Sequence, residues 1–133
     1  MMMFRAIACG VAICVSFFSV TCASAQDAAA GKLGFAKNCA ACHQLTGLGI
    51  KGSFPALSGS PIAQGPDETM IRLVLQGRGG MPAFKGTLQD AALADILTYV
   101  RGAWANHASP VTDTQIAAVK QSLSEADNRP KGN

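Results

Sequence analysis

Charge and aromatic character are both scarce in this chain: 14% of its 133 residues are charged and 6% aromatic, with one Trp, one Tyr and two His. The 11 basic and 8 acidic residues form no basic tract, so nucleic-acid binding has no electrostatic footprint. Strict apolar and polar alternation never persists and no segment repeats, which gives no reason to expect a sheet or a repeat architecture. A disulfide framework is missing as well. Cys9, Cys14 and Cys22 fall in a segment that reads as a removable leader, leaving Cys39 and Cys42 as one close pair. A disulfide-supported core needs several pairs spread along the chain, so something else must stabilise a small domain here.

In that leader, Arg5 is followed by an uncharged, mostly apolar run from Ala6 to Val20, then Thr21, Cys22 and Ala23-Ser24-Ala25. The pattern resembles a secretory signal with an A-x-A cleavage site, cut after Ala25. Left uncut, Ala6 to Ala25 would approach the roughly 20 residues that span a bilayer. Thr21, Ser24 and the small-residue triplet favour cleavage, which leaves no stable membrane span and a periplasmic protein. The expected divisions are a signal over 1–25, one domain over 26–126 with a short extra C-terminal helix, and a polar tail over 127–133. Without Arg5, 10 basic residues face 8 acidic ones, a net of +2.

What is present is helical. Asp27 is a suitable N-cap for an Ala-rich run that continues through Leu33, Phe35 and Ala36 to about Cys39. Gly31 is costly in mid-helix, by about 1 kcal/mol relative to alanine, and suggests close crossing by another helix. Gln44 to Gln64 carries Gly47, Gly49, Gly52, Pro55, Gly59 and Pro61 with no lasting periodicity. So long a loop needs something to wrap around, such as a large flat cofactor. After Pro66, Asp67 and Glu68 open a helix with an apolar stripe of Met70, Ile71, Val74 and Leu75, ended by Gly77. Thr87 with Asp90 reads as a capping box for a helix to about Trp104, burying Leu88, Ala92, Ile96, Tyr99 and Val100. Thr112 with Gln115 opens the terminal helix, with Ile116, Val119 and Leu123 at helical spacing. The fold class is all-α with long loops.

The chemistry centres on Cys39-Ala40-Ala41-Cys42-His43, the C-x-x-C-H pattern of c-type haem attachment. Two thiols add across the haem vinyl groups and the adjacent histidine coordinates iron. One helical turn sets the two sulfurs on one side and directs the imidazole at the metal. The competing readings fit poorly: a thioredoxin-like pair needs a βαβ setting, and a zinc site lacks a fourth ligand other than the distant His107. The sixth iron position points to Met81 in Gly79-Gly80-Met81-Pro82-Ala83-Phe84, because this methionine sits in a glycine- and proline-flanked loop, whereas Met70 belongs to a helical core stripe. His107 reads as an exposed or structural histidine. Arg78 and Arg101 read as solvated, with haem propionates as the alternative partner.

Cys39 to His43, the Gly79 to Phe84 segment and the helix between them resemble a class I cytochrome c, over nearly all of the mature chain. Within that class, Gly79 to Phe84 and Leu97 to Trp104 look like the small cytochrome subunits that serve periplasmic dehydrogenases and reductases. The resemblance implies a cytochrome c-like set of helices and loops around one covalent haem c per chain. It pairs Gly31 and Phe35 with Ile96 and Tyr99 at a helix crossing, and it makes the Pro55 carbonyl, in Phe54-Pro55-Ala56-Leu57, the acceptor for the second ring nitrogen of His43. One departure is the segment after Trp104, since many class I proteins end with the preceding helix.

With His43 and Met81 both on iron no site is open to substrate, so the expected function is one-electron transfer by a carrier and not catalysis. Its partners would be a periplasmic dehydrogenase, reductase or terminal oxidase of a respiratory chain, met through an apolar rim with little electrostatic steering. The alternative is a gas sensor or peroxidase-like enzyme in which Met81 is displaced.

Overall fold

The computed structural model describes residues 27–129, so the expected signal over 1–25 and the last four residues of the expected tail lie outside the described residues. Six helices follow in order: α1 (Ala28–Asn38), α2 (Ala40–His43), α3 (Pro61–Gln64), α4 (Asp67–Gln76), α5 (Asp90–Gly102) and α6 (Asp113–Asp127). Among the described residues there is no sheet, only the isolated bridges Ile50–Phe54 and Arg78–Met81. The all-α expectation holds, and α3 is a short helix inside what the sequence offered as continuous loop.

The principal contact is α1 crossing α5. A Cβ on Gly31 would lie 2.0 Å from Asp95 O and 2.9 Å from Tyr99 Cβ, so backbone meets backbone there. Gly34 performs the same service for Ile96, whose Cγ1 a Cβ would meet at 2.6 Å. Asp27 does cap α1, accepting from Ala29 N and Ala30 N, while its own amide donates to Asp95 Oδ1 at 2.9 Å. Beyond the crossing Phe35, Tyr99 and Trp104 form an aromatic trio with centroids 5.3–5.6 Å apart, Trp104 meeting the other two edge-on.

The start and buried face of α5 differ from expectation. Thr87 does not cap it: Thr87 N donates to Phe84 O in a separate turn, and Gln89 is the N-cap without a side-chain bond. Asp90, free of the expected box, pairs instead with Lys120 of α6. Ala92 is exposed, and the buried side runs through Leu93, Ala94, Ile96, Leu97, Val100 and Arg101. Leu88, one residue before the N-cap, packs on the core from outside the helix. The helix stops at Gly102, two residues short of Trp104.

The Thr112–Gln115 box is complete, with Thr112 Oγ1 accepting from Gln115 N and Gln115 Oε1 accepting from Thr112 N. It opens a helix of 15 residues, longer than its sequence suggested. Ile116, Val119 and Leu123 bury against α4 and α5. Gln115 to Asp67 and Arg72 to Ser122 (3.1 Å) tie α6 to α4.

Arg101 corrects the surface reading. It is 5% exposed; Nε donates to Ser109 O at 2.7 Å, and Nη1 to Ala63 O and Gly65 O, each at 3.0 Å. The guanidinium fork satisfies carbonyls at the end of α3, which is too short to stand alone. Arg78 and His107 are exposed, as read.

Gly31→Ala should weaken the α1–α5 crossing by about 3 kcal/mol, since neither backbone can yield cheaply. Gly102→Ala, where a Cβ meets nothing within 4 Å, should be neutral or slightly stabilising. Denaturant unfolding of the two holoproteins compares them directly.

Candidate haem site

Between α1, α4 and α5 lies an apolar cleft of about 790 Å³, counting its open mouth. Cofactor sites are mostly apolar with a few polar groups. Its lining joins Cys39, His43, Pro55 and Met81 with Phe35, Leu57, Met70, Val74, Phe84 and Leu97. Residues that the sequence spreads from Phe35 to Leu97 therefore face one space.

The attachment motif sits where α1 gives way to α2. Cys39 takes φ −123° and ψ −32°, its amide donating to Phe35 O, while Cys42 N and His43 N both donate to Cys39 O at 3.2 and 3.0 Å. Cys39 and Cys42 are one turn apart, half-buried and free, with no disulfide between them. Cys42 is not among the residues that line the cleft. Burial, with Cys42 beside it, pushes the Cys39 thiol up to about 11. A thiol–disulfide oxidoreductase relies on the opposite shift, toward thiolate at neutral pH.

His43 is 8% exposed, and its Nδ1 stands 2.9 Å from Pro55 O. A carbonyl only accepts, so Nδ1 carries the proton and Nε2 keeps its lone pair for a metal. The chain turns out of α2 through Gln44 at φ +61°, and Gly49 N then donates to His43 O at 3.0 Å.

Met81 reaches the cleft from a loop fixed on α4. Phe84 N donates to Val74 O and Lys85 N to Leu75 O, both at 3.1 Å, while Arg78 and Met81 exchange amide bonds across Gly79-Gly80. Gly77, at φ +71°, lets this loop fold back: a Cβ there would lie 2.5 Å from Met81 O. Sequence reading took Gly77 only as a helix stop. The positive φ and close backbone approach are what demand glycine.

These residues fit a haem. The Cys39 thiol, a buried imidazole with a free ring nitrogen and a thioether share a space lined almost wholly by carbon, and Cys42 stands one turn from Cys39. Among the described residues no group of three or more His, Cys, Asp or Glu gathers to hold a bare metal ion.

Comparison with known proteins agrees with the geometry. The profile of the family described as cytochrome c oxidase, cbb3-type, subunit III, matches residues 26–100, more than half of the chain. The chain belongs to this family. It is a c-type cytochrome, an electron-carrying protein whose Cys39-x-x-Cys42-His43 motif takes one covalent haem c. Cytochrome c6 of Leptolyngbya boryana is 42% identical over 76 residues, covering 56% of this chain and 89% of its own. The gluconate 2-dehydrogenase cytochrome c subunit of Pantoea cypripedii is 32% identical over 110 residues, 72% of this chain. The cytochrome c subunit of the quinone alcohol dehydrogenase of Gluconobacter oxydans (strain 621H) is 33% identical over 91 residues, 59% of this chain. The cytochrome spans 25% and 19% of those two dehydrogenase subunits.

Sequence reading missed several contributors. Asn106, fully buried, gave no signal beyond being one polar residue after a helix. Ile62 and Leu93 also line the cleft, and only their apolar character marked them.

The holoprotein, denatured in alkaline pyridine, should give a c-type haemochrome at one haem per chain. Cys39→Ala and Cys42→Ala should each retain haem through a single thioether, with the band at longer wavelength. The double variant should release its haem into acidified organic solvent.

Proposed function

We propose that this cytochrome carries single electrons between periplasmic redox proteins, with His43 and Met81 as the axial ligands of its haem iron. It would serve as a shuttle or as the cytochrome partner of a dehydrogenase, reductase or terminal oxidase in a respiratory chain. The observation that carries the reading is that an imidazole with its Nδ1 committed to Pro55 O and a loop methionine line the same apolar cleft.

When bound, the haem supplies a ferric/ferrous couple. The chain's own residues decide how that couple is used. His43, oriented by Pro55, offers one nitrogen in a fixed direction. The Met81 loop is held to α4 by backbone bonds from Phe84 and Lys85, so its thioether can stay in place through both oxidation states. A sulfur ligand favours ferrous iron over a harder donor, and the carbon lining disfavours added charge in the same direction. With His43 and Met81 both holding the iron, small substrates would find no place on it.

Partner docking is read from the surface. Leu45, Leu48 and Ile50 follow His43 directly and are 66, 63 and 43% exposed; Ile62 lines the cleft and is itself 37% exposed, which places it at the opening. An apolar rim with low net charge suits brief encounters over small interfaces with weak salt dependence. The named dehydrogenase relatives support a complex subunit as one such setting.

Export of the mature chain from Gln26, with residues 1–25 as a cleaved secretory signal, suits covalent haem attachment. It also fits the finding that no described helix is long and apolar enough to cross a membrane. Residues 26–126 would form the haem domain and 127–133 its polar end.

The test is spectroscopic. Ferric holoprotein should show the far-red band of methionine-to-iron ligation, Met81→Ala should lose it, and its reduction potential should fall. Ferrous parent protein should bind carbon monoxide slowly or not at all at neutral pH. Rapid carbon monoxide binding by the parent would instead favour the gas-sensing or peroxidase-like reading.

A further inference from the structure

The chain does not end with α5, and residues 103–112 cross as a strap toward α6, beyond the residues that the family profile matches. Trp104 opens the strap at φ +55°, a conformation that a tryptophan keeps only where its surroundings hold it. Its indole lies on Gly47, where a Cβ would meet the ring at 2.7 Å, and its Nε1 donates to Leu45 O at 3.2 Å.

Two residues on, Asn106 is fully buried, with Nδ2 donating to Val100 O at 2.8 Å and to Leu57 O at 2.9 Å. Its Oδ1 accepts from Gly59 N at 2.9 Å. Both amide protons are thereby used, and a side chain so fully engaged is fixed in place.

The strap thus grips both ends of one irregular segment, at 45–47 and at 57–59. Those ends are tied to each other by Leu57 N and Ser58 N donating to Gly47 O at 2.7 and 3.0 Å. The inner cross-tie is the Ile50–Phe54 pair, and beside it stands Pro55, whose carbonyl meets His43 Nδ1.

We propose that Trp104 and Asn106 are positioning residues for the iron ligand: by clamping residues 45–59 they hold Pro55 O against His43 Nδ1 and so help to set the reduction potential. The inference rests on His43 ligating iron, as proposed above. A hydrogen bond from Nδ1 makes the imidazole a stronger donor through its other nitrogen, which favours ferric iron. A loosened clamp weakens that bond and shifts the balance toward ferrous.

The experiment measures the reduction potential of the holoproteins by voltammetry and the exchange of the His43 Nδ1 proton by NMR. The variants are Asn106→Leu, Trp104→Phe and, as a control for lost stability alone, Leu123→Ala in the buried face of α6. Asn106→Leu should move the ferrous-to-ferric ratio upward by about three- to tenfold, tenfold corresponding to about 59 mV for one electron. Its Nδ1 proton should exchange at least about tenfold faster. Trp104→Phe keeps a ring over Gly47 but not the bond to Leu45 O, and should move both readouts the same way by less. Leu123→Ala should move neither.

Strap variants that shift no further than Leu123→Ala would overturn the clamp. If Asn106→Leu does not mature, Trp104→Phe decides alone. A parent protein whose ferric EPR spectrum lacks a histidine-ligated low-spin signal would instead remove the underlying reading of the site.

Discussion

Backbone contact between α1 and α5 at Gly31 is the constraint on which the rest of the molecule depends. Side chains normally hold helix axes 8–10 Å apart, and a missing Cβ brings these two closer at one point. Below that point Phe35 leans on Tyr99 and Trp104, and one turn later α1 delivers Cys39 to the wall of the cleft. The same contact fixes α5, from whose end the strap departs. Attachment motif and strap therefore both depart from the C-terminal side of one crossing.

Two buried polar side chains extend that order into segments with no regular structure of their own. Arg101 answers three carbonyls and Asn106 two carbonyls and an amide. Among the described residues no buried side-chain nitrogen or oxygen lacks a partner. Removing either side chain would strand several backbone groups at once, a heavier penalty than losing one bond. Loops that looked structureless are in this way as firmly specified as the helices.

Legibility followed the range of the interaction. Cys39, Cys42 and His43 announce themselves because their chemistry is local to five residues, and the Asp27 and Thr112 caps because a cap is local to four. Met81 was readable from a contradiction, a hydrophobic side chain among turn formers. The Thr87 box failed because Asp90 found a stronger partner in Lys120, 30 residues away. Arg101 failed for the same reason: its partners lie 8, 36 and 38 positions off, and only the folded chain brings their carbonyls together. Gly31 was legible as a crossing, while Gly34 and Gly77, equally constrained, gave no more than a helix interior and a helix stop.

The bond from Asp27 N to Asp95 Oδ1 joins residues 68 apart, which has a consequence for the order of events during folding. Closing a flexible loop of that length costs about 4 kcal/mol of chain entropy, and contacts so distant in sequence slow the search for the native state. Helix α1 therefore waits for α5, which lies far downstream. Until that contact forms, Cys39 and Cys42, half-buried in the folded chain, lack the helix crossing beside which they are buried.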